Sequence, residues 1–355
     1  MKRLIIFLGL TIFTLMSCNE ENEEVEEIQT TIAEQPTEEP IITNNKLNVN
    51  DHIVTQGFDL YLLRDLESII GLKVGFISLS EIYPLSEHPD SLAIPNPEEV
   101  NKDSLQYFKL SSEYRNRFLS KTKISEEDSV FIYDYSTDVL VSYPVKILSI
   151  VAYLNVYMEP NECPCRQNDY MIGFQINKSS LTGFDKYLNN SLVYVGKENP
   201  FILGQMRPIS WERIDIKDFP LEKSNIPNNV FRQHDVEKGN AYLYNSELYQ
   251  YYIQEYSEGG NSFYLVQRHL IVTNMKDDVI LEKVFNDSEG TSIAPLNFGI
   301  ENSNFSDLKE QWTGYLFKNK PQVVFGFVWS SFGCPNIIFL DSNVDDVYIN
   351  CDNRH

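Results

Sequence analysis

Basic residues are scarce in this chain: 29 Lys and Arg stand against 51 Asp and Glu over 355 residues, a formal net charge of −22. Nucleic acid is held chiefly by Lys and Arg neutralising phosphates, so this balance argues against a nucleic-acid partner. Attraction of a basic face to anionic lipid is disfavoured for the same reason. Histidine is scarcer still, limited to His52, His88, His234, His269 and His355. No G-x-S-x-G, H-E-x-x-H, P-loop or dinucleotide fingerprint occurs. No catalytic residue, cofactor or resident metal is therefore assigned, and the chain reads as a non-enzyme. No apolar run reaches the roughly 20 residues that a membrane-spanning helix needs.

An apolar run is nonetheless present at the start. Met1-Lys2-Arg3 supplies positive charge and residues 4–16 are apolar, a length that fits a secretory signal better than an anchor. The run ends at Leu15-Met16-Ser17-Cys18, which resembles the lipobox of bacterial lipoproteins. The resemblance implies cleavage after Ser17, acylation of Cys18 (palmitate among the chains) and attachment to a membrane through the N-terminal lipid. The alternative is an ordinary signal peptide in which Cys18 is incidental.

Between Cys18 and Pro40 lie nine glutamates and no Lys or Arg. Such dense like charge, with little apolar surface to bury, predicts a solvated stalk. The organisation read from the sequence is thus a signal peptide over 1–17, a lipidated, acidic, disordered tether over 18–50, and a β-rich body over 51–355. That body is one large or two closely packed domains. The acidic run after the cysteine also resembles the export signal of some Gram-negative surface lipoproteins, which implies the outer face of the outer membrane. A periplasm-facing lipoprotein is the alternative.

In the body, 21 Tyr, 21 Phe and 3 Trp favour strands and large buried area. Helical spacing appears over Phe58–Ile70, with Asp59 as cap and Gly71 as stop, and over Ser112–Lys121. Hairpins are predicted for Ser129–Tyr135 with Val139–Tyr143, and for Tyr249–Tyr256 with Ser262–Thr273 around Glu258-Gly259-Gly260-Asn261. A third joins Leu270–Thr273 to Val279–Val284. Lys146–Met158 and Val323–Ser330 read as single strands, and Asn336–Leu340 and Val347–Cys351 as a closing pair. The predicted fold class is mainly β, hairpin-rich, sandwich- or propeller-like, with a few short helices. Asp138-Val139, Asp278-Val279 and Asp346-Val347 recur after short polar turns, a repeat signal or a consequence of turn chemistry.

Cys163, Cys165, Cys334 and Cys351 form an even set in an exported chain and predict two disulfides. Cys334 with Cys351 across the closing hairpin is one pairing, and a crosswise arrangement with Cys163-Pro164-Cys165 is the other. The metal alternative adds His355 to the four thiols. Asp341–Asp346 with Asp352 resembles a calcium loop, yet Asp346 stands where such loops need glycine, so an acidic turn is expected. Asp90-Ser91-Leu92, Asp103-Ser104-Leu105 and Asp128-Ser129-Val130 resemble sites O-glycosylated in some bacterial envelope proteins.

The function expected from these features is a surface lipoprotein acting as a non-catalytic binding or accessory module for a glycan or an envelope partner protein. Tyr252 and Tyr256, on one face of their strand, are the expected binding aromatics. The alternative is a secreted polysaccharide-directed hydrolase using paired carboxylates, with Glu212 beside Trp211 as candidate acid.

Overall fold

The computed structural model describes residues 59–158, 160–162, 164–227, 236–258, 264–298, 309–331 and 333–352. The leader, Cys18, the tether, Phe58, Cys163, His52, His234 and His355 lie outside the described residues, as do the expectations that fall on them. The described residues belong to a compact unit, Thr55–His355.

The chain first lays down β1 (Leu60–Asp65), α1 (Leu66–Ile70), β2 (Val74–Ser78), β3 (Tyr107–Lys109) and α2 (Ser112–Thr122). Next come β4 (Ser129–Asp134), β5 (Val139–Pro144), β6 (Ser149–Leu154), β7 (Tyr170–Asn177), β8 (Ser191–Gly196) and β9 (Met206–Pro208). A meander follows: β10 (Glu212–Ile214), β11 (Val236–Asn245), β12 (Tyr249–Glu258), β13 (Tyr264–Asn274) and β14 (Val279–Asn286). The chain ends with β15 (Thr291–Ile293), β16 (Trp312–Gly314), β17 (Val323–Phe325), β18 (Val328–Ser330), β19 (Asn336–Phe339) and β20 (Val347–Asn350).

Among the described residues these strands form a 13-stranded sheet, a five-stranded sheet β10-β11-β12-β13-β14 and the small pair β15-β18. β16 pairs antiparallel with β9, Trp312 opposite Pro208. The five-stranded meander is therefore an insertion between two neighbouring strands of the large sheet. The two sheets meet through a shared core: Tyr251, Ile253, Leu270 and Val272 of the meander pack with Val324, Ile338 and Leu340. The expectation of a mainly β fold with a few short helices holds.

The long predicted helix over Phe58–Ile70 is a strand followed by a single helical turn. β1 lies within the large sheet, with Leu60–Leu62 antiparallel to β8, Leu60–Tyr61 parallel to β20, and Leu63–Asp65 antiparallel to β2. The continuous apolar run Leu60-Tyr61-Leu62-Leu63 hides the alternation that marks strands, and Leu60, Leu63 and the following Leu66 mimic helical spacing. Asp65 rather than Asp59 is the cap, its side chain accepting from the Glu67 N–H, and Gly71 at φ 74° ends the turn as expected. Lys146–Met158 is likewise shorter as a strand, since residues 145–147 form a 3₁₀ turn before β6.

The recurrent hairpin wording has a turn-chemical origin. Asp134 Oδ1 accepts from the Ser136 and Thr137 N–H groups, Asn274 Oδ1 from those of Lys276 and Asp278, and Asp341 Oδ1 from that of Asn343. Each hairpin opens on a residue whose side chain bonds the backbone two positions on. The shared element is that opening Asp or Asn, and the three hairpins sit in two different sheets.

Candidate functional site

Gly326 divides what reads as one strand, Val323–Ser330, into two strands of different sheets. Its φ is 89°, and a Cβ there would stand 1.8 Å from the Glu310 carbonyl oxygen, so only glycine fits. The bend sends β17 into the large sheet and β18 to the small pair, and it presents Trp329 at the surface, 49% exposed. The Trp329 Nε1–H donates to Glu310 Oε2 at 2.9 Å, which fixes the plane of the indole. Nearby in the chain, Phe327 stacks on Phe285 of β14, centroids 4.7 Å apart and rings within 9° of parallel.

These groups line a cleft of about 380 Å³ where the meander meets the large sheet. Its polar wall is the loop 185–190, which carries Asp185, Asn189 and Asn190. That loop is tied to the β4–β5 turn. The Asp185 N–H donates to Asp134 Oδ2 at 2.6 Å, Asn190 Nδ2 donates to Ser136 Oγ at 3.2 Å, and the Tyr135 N–H donates to the Asn190 carbonyl. Asp134 is fully buried and accepts at both oxygens. The Tyr135 ring stands edge-on to Trp312 and Phe325, each at 5.2 Å. Burial raises the Tyr135 pKa, and the carboxylates of Asp134, Glu310 and Asp185 raise it further. The hydroxyl is thus a neutral donor throughout the physiological range.

A buried amide pair braces the cleft from behind. Gln311 Oε1 accepts from the Asn297 N–H and Trp211 Nε1, and its Nε2 donates to the carbonyls of Pro295 and Gly326. Asn297 Nδ2 donates to the carbonyls of Ile209 and Gln311. These bonds join the points at which the meander leaves and rejoins the large sheet, and they saturate the Gln311 side chain.

The tyrosines expected to bind lie elsewhere. Tyr256 is buried, 3% exposed, and Tyr252 packs on Phe219, Ala241 and Ile271. At Tyr252 this face of the meander is covered by residues 216–223, whose Phe219 and Leu221 join that core. Glu212 is exposed on β10, and its neighbour Trp211 is buried. His269, which reads as a packed or surface strand residue, is fully buried and pairs with Glu282 at 2.7 Å. Burial lowers the His269 pKa, an effect that Glu282 partly opposes. Glu282 is itself held low despite its burial, by bonds from Ser224, the Asn225 N–H and His269. His88 is exposed and caps a 3₁₀ turn.

Cys334 and Cys351 are joined, with S–S 2.00 Å and Cα–Cα 5.5 Å, which is the hairpin pairing and rules out the crosswise one. Cys165 is also disulfide-bonded, to a partner outside the described residues. Glu81 lies beside Cys334 and Cys351, but sulfurs held in a disulfide are not thiolate ligands. At the acidic turn, Asp346 accepts from Asn336 and pairs with Lys283 at 3.3 Å, contacts that suit a turn. Ser91 and Ser104 each end an Asp-containing 3₁₀ turn, whereas Ser129 begins β4 and is paired on both sides.

Trp329 and the cleft were legible only in part: the Trp329–Ser330 dipeptide is visible in the sequence, but its exposure depends on the bend at Gly326. Among the described residues no helix is long and apolar enough to cross a membrane. Comparison with protein-family models, curated proteins and solved structures gave no significant match, so the functional reading stands on the cleft itself.

Proposed function

We propose that the protein is an outer-membrane lipoprotein, attached through Cys18 and facing the cell exterior, whose body is a non-catalytic module that binds glycan in the cleft. The observation that carries the reading is the Trp329 indole, exposed yet bonded to Glu310, in a cleft that the stacked Phe285 and Phe327 also line. A sugar ring offers an apolar face of C–H groups and an equator of hydroxyls. The indole and the Asp185, Asn189 and Asn190 wall supply a partner for each. The bonds that fix the loop 185–190 mean that little ordering cost is left for binding.

The hydrolase alternative finds a specific observation in Asp185 and Glu310, two carboxyl groups on one cleft. Both already accept structural bonds, Asp185 from the Tyr187 N–H and Glu310 from Trp329, which favours the binding role. Affinity electrophoresis of the full-length protein through gels containing neutral polysaccharides separates the two. Retardation by at least one polysaccharide, lost in Trp329→Ala and without release of reducing ends, is the expected result. Release of reducing ends that stops in Asp185→Asn or Glu310→Gln would replace this reading with the hydrolase. Replacing Cys18 by Ala is expected to move the protein from the membrane fraction to the soluble one; unchanged fractionation contradicts the lipid anchor.

A further inference from the structure

The cleft has a neighbour. A cavity of about 640 Å³ lies beside it and shares Tyr135, Asp185, Asn190 and Lys309 with it. Its far wall is the β4–β5 turn, with Thr137 and Asp138, and Arg207 of β9. Asp138 is fixed there at φ 59°, its Oδ1 accepting from Tyr133 and from the Gly204 N–H. The shared waist is rigid. Tyr135 is set between Trp312 and Phe325, and the Trp312 Nε1–H donates to the Lys309 carbonyl at 2.7 Å.

We infer that the two cavities form one groove that takes a linear, neutral oligosaccharide, its rings running from Trp329 past Tyr135 to Arg207. The inference rests on the cleft being a glycan site and adds the length and charge of the chain it accepts. Length follows from continuity, because two cavities that share a waist accommodate successive units of one ligand. Neutrality follows from the charges. Asp138, Asp185 and Glu310 outnumber Arg207 and Lys309 in the groove, on a protein of net charge −22, so an anionic chain meets repulsion there. An apolar chain would strip water from these groups and return no hydrogen bonds. A sugar hydroxyl both donates and accepts, and the groove offers carboxylate acceptors, Arg and Lys donors, and Asn amides that do both. Tyr135, kept protonated, adds a donor at the waist.

The test is calorimetric titration of the full-length protein in detergent with cello-, xylo- and malto-oligosaccharides of one to six units, and with oligogalacturonate. In at least one neutral series, affinity is expected to rise tenfold or more with length and then level off. Arg207→Ala and Thr137→Ala, both at exposed positions, are expected to flatten that rise. Oligogalacturonate is expected to bind more weakly than the neutral chain of equal length. Equal affinity at every length, a rise that survives both substitutions, or a preference for oligogalacturonate overturns the inference and leaves glycan binding intact. Failure of every saccharide to bind overturns both.

Discussion

At the scale of single residues, several buried polar groups support stability in ways that the sequence does not mark. Gln311 is an ordinary glutamine by composition, yet its side chain satisfies two N–H donors and two carbonyls inside the protein. Gln311→Met keeps the volume and strands all four partners, so it is expected to cost about 3 kcal/mol or more, measured by urea unfolding. The pair Arg268–Glu255, 2.9 Å apart with Arg268 3% exposed, behaves similarly. Glu255→Ala leaves a buried guanidinium without its carboxylate and is expected to cost about 3 kcal/mol. His269 gives a pH signature. Its pKa is lowered in the folded protein, so the unfolded chain binds the proton more readily. Stability from this source is complete above the unfolded value of about 6.5 and declines as pH falls below it. The lowered pKa of Glu282 continues the loss at more acid pH. The urea midpoint is therefore expected to drop between about pH 6.5 and 5, and His269→Leu is expected to flatten that drop. An undiminished slope in the variant would assign it to other groups.

At the scale of elements, hairpins and several interior strands are legible in the sequence, and β1 is not. The Tyr249–Tyr256 and Val279–Val284 strands pair as the turn residues indicate, because a short connection leaves one way to pair. Local pattern does not mark β1 as a strand, because its partners β8 and β20 come from distant parts of the chain. Val323–Ser330 reads as one strand because local pattern does not reveal that the Gly326 Cα lies against the Glu310 carbonyl. Alternation places Tyr252 and Tyr256 on one face, but what covers a face is set by segments remote from the strand. The closing hairpin is more fully legible, and its disulfide is one of the two pairings that the sequence allows. Joining Cys334 to Cys351 closes a separation of 17 residues, for which the chain-entropy argument gives about 3 kcal/mol. The double substitution to Ser is expected to lower stability by that order, and a loss under about 0.5 kcal/mol would show that the surrounding strands hold the C-terminus without it.

At the scale of the whole molecule, an inserted meander packed on a large sheet creates a seam, and the cleft lies along it. Phe285 comes from the insertion, Phe325 and Asn336 from the large sheet, and Trp329 from the small pair, so the site exists only when all three are assembled. That is why no local motif in the sequence locates the cleft. The tryptophans provide a direct probe, since Trp211 and Trp312 are buried, 3% and 5% exposed, and Trp329 is open. The measurement that bears most directly on the central claim is a tryptophan-fluorescence titration of the full-length protein and of Trp329→Ala with the neutral oligosaccharides. The account predicts a saturable blue shift in the native protein. It also predicts binding at least tenfold weaker in Trp329→Ala, about 1.4 kcal/mol, at an unchanged unfolding midpoint. Saturable binding of equal affinity in the variant by calorimetry, or no titration of the native protein by any of these chains, would contradict it.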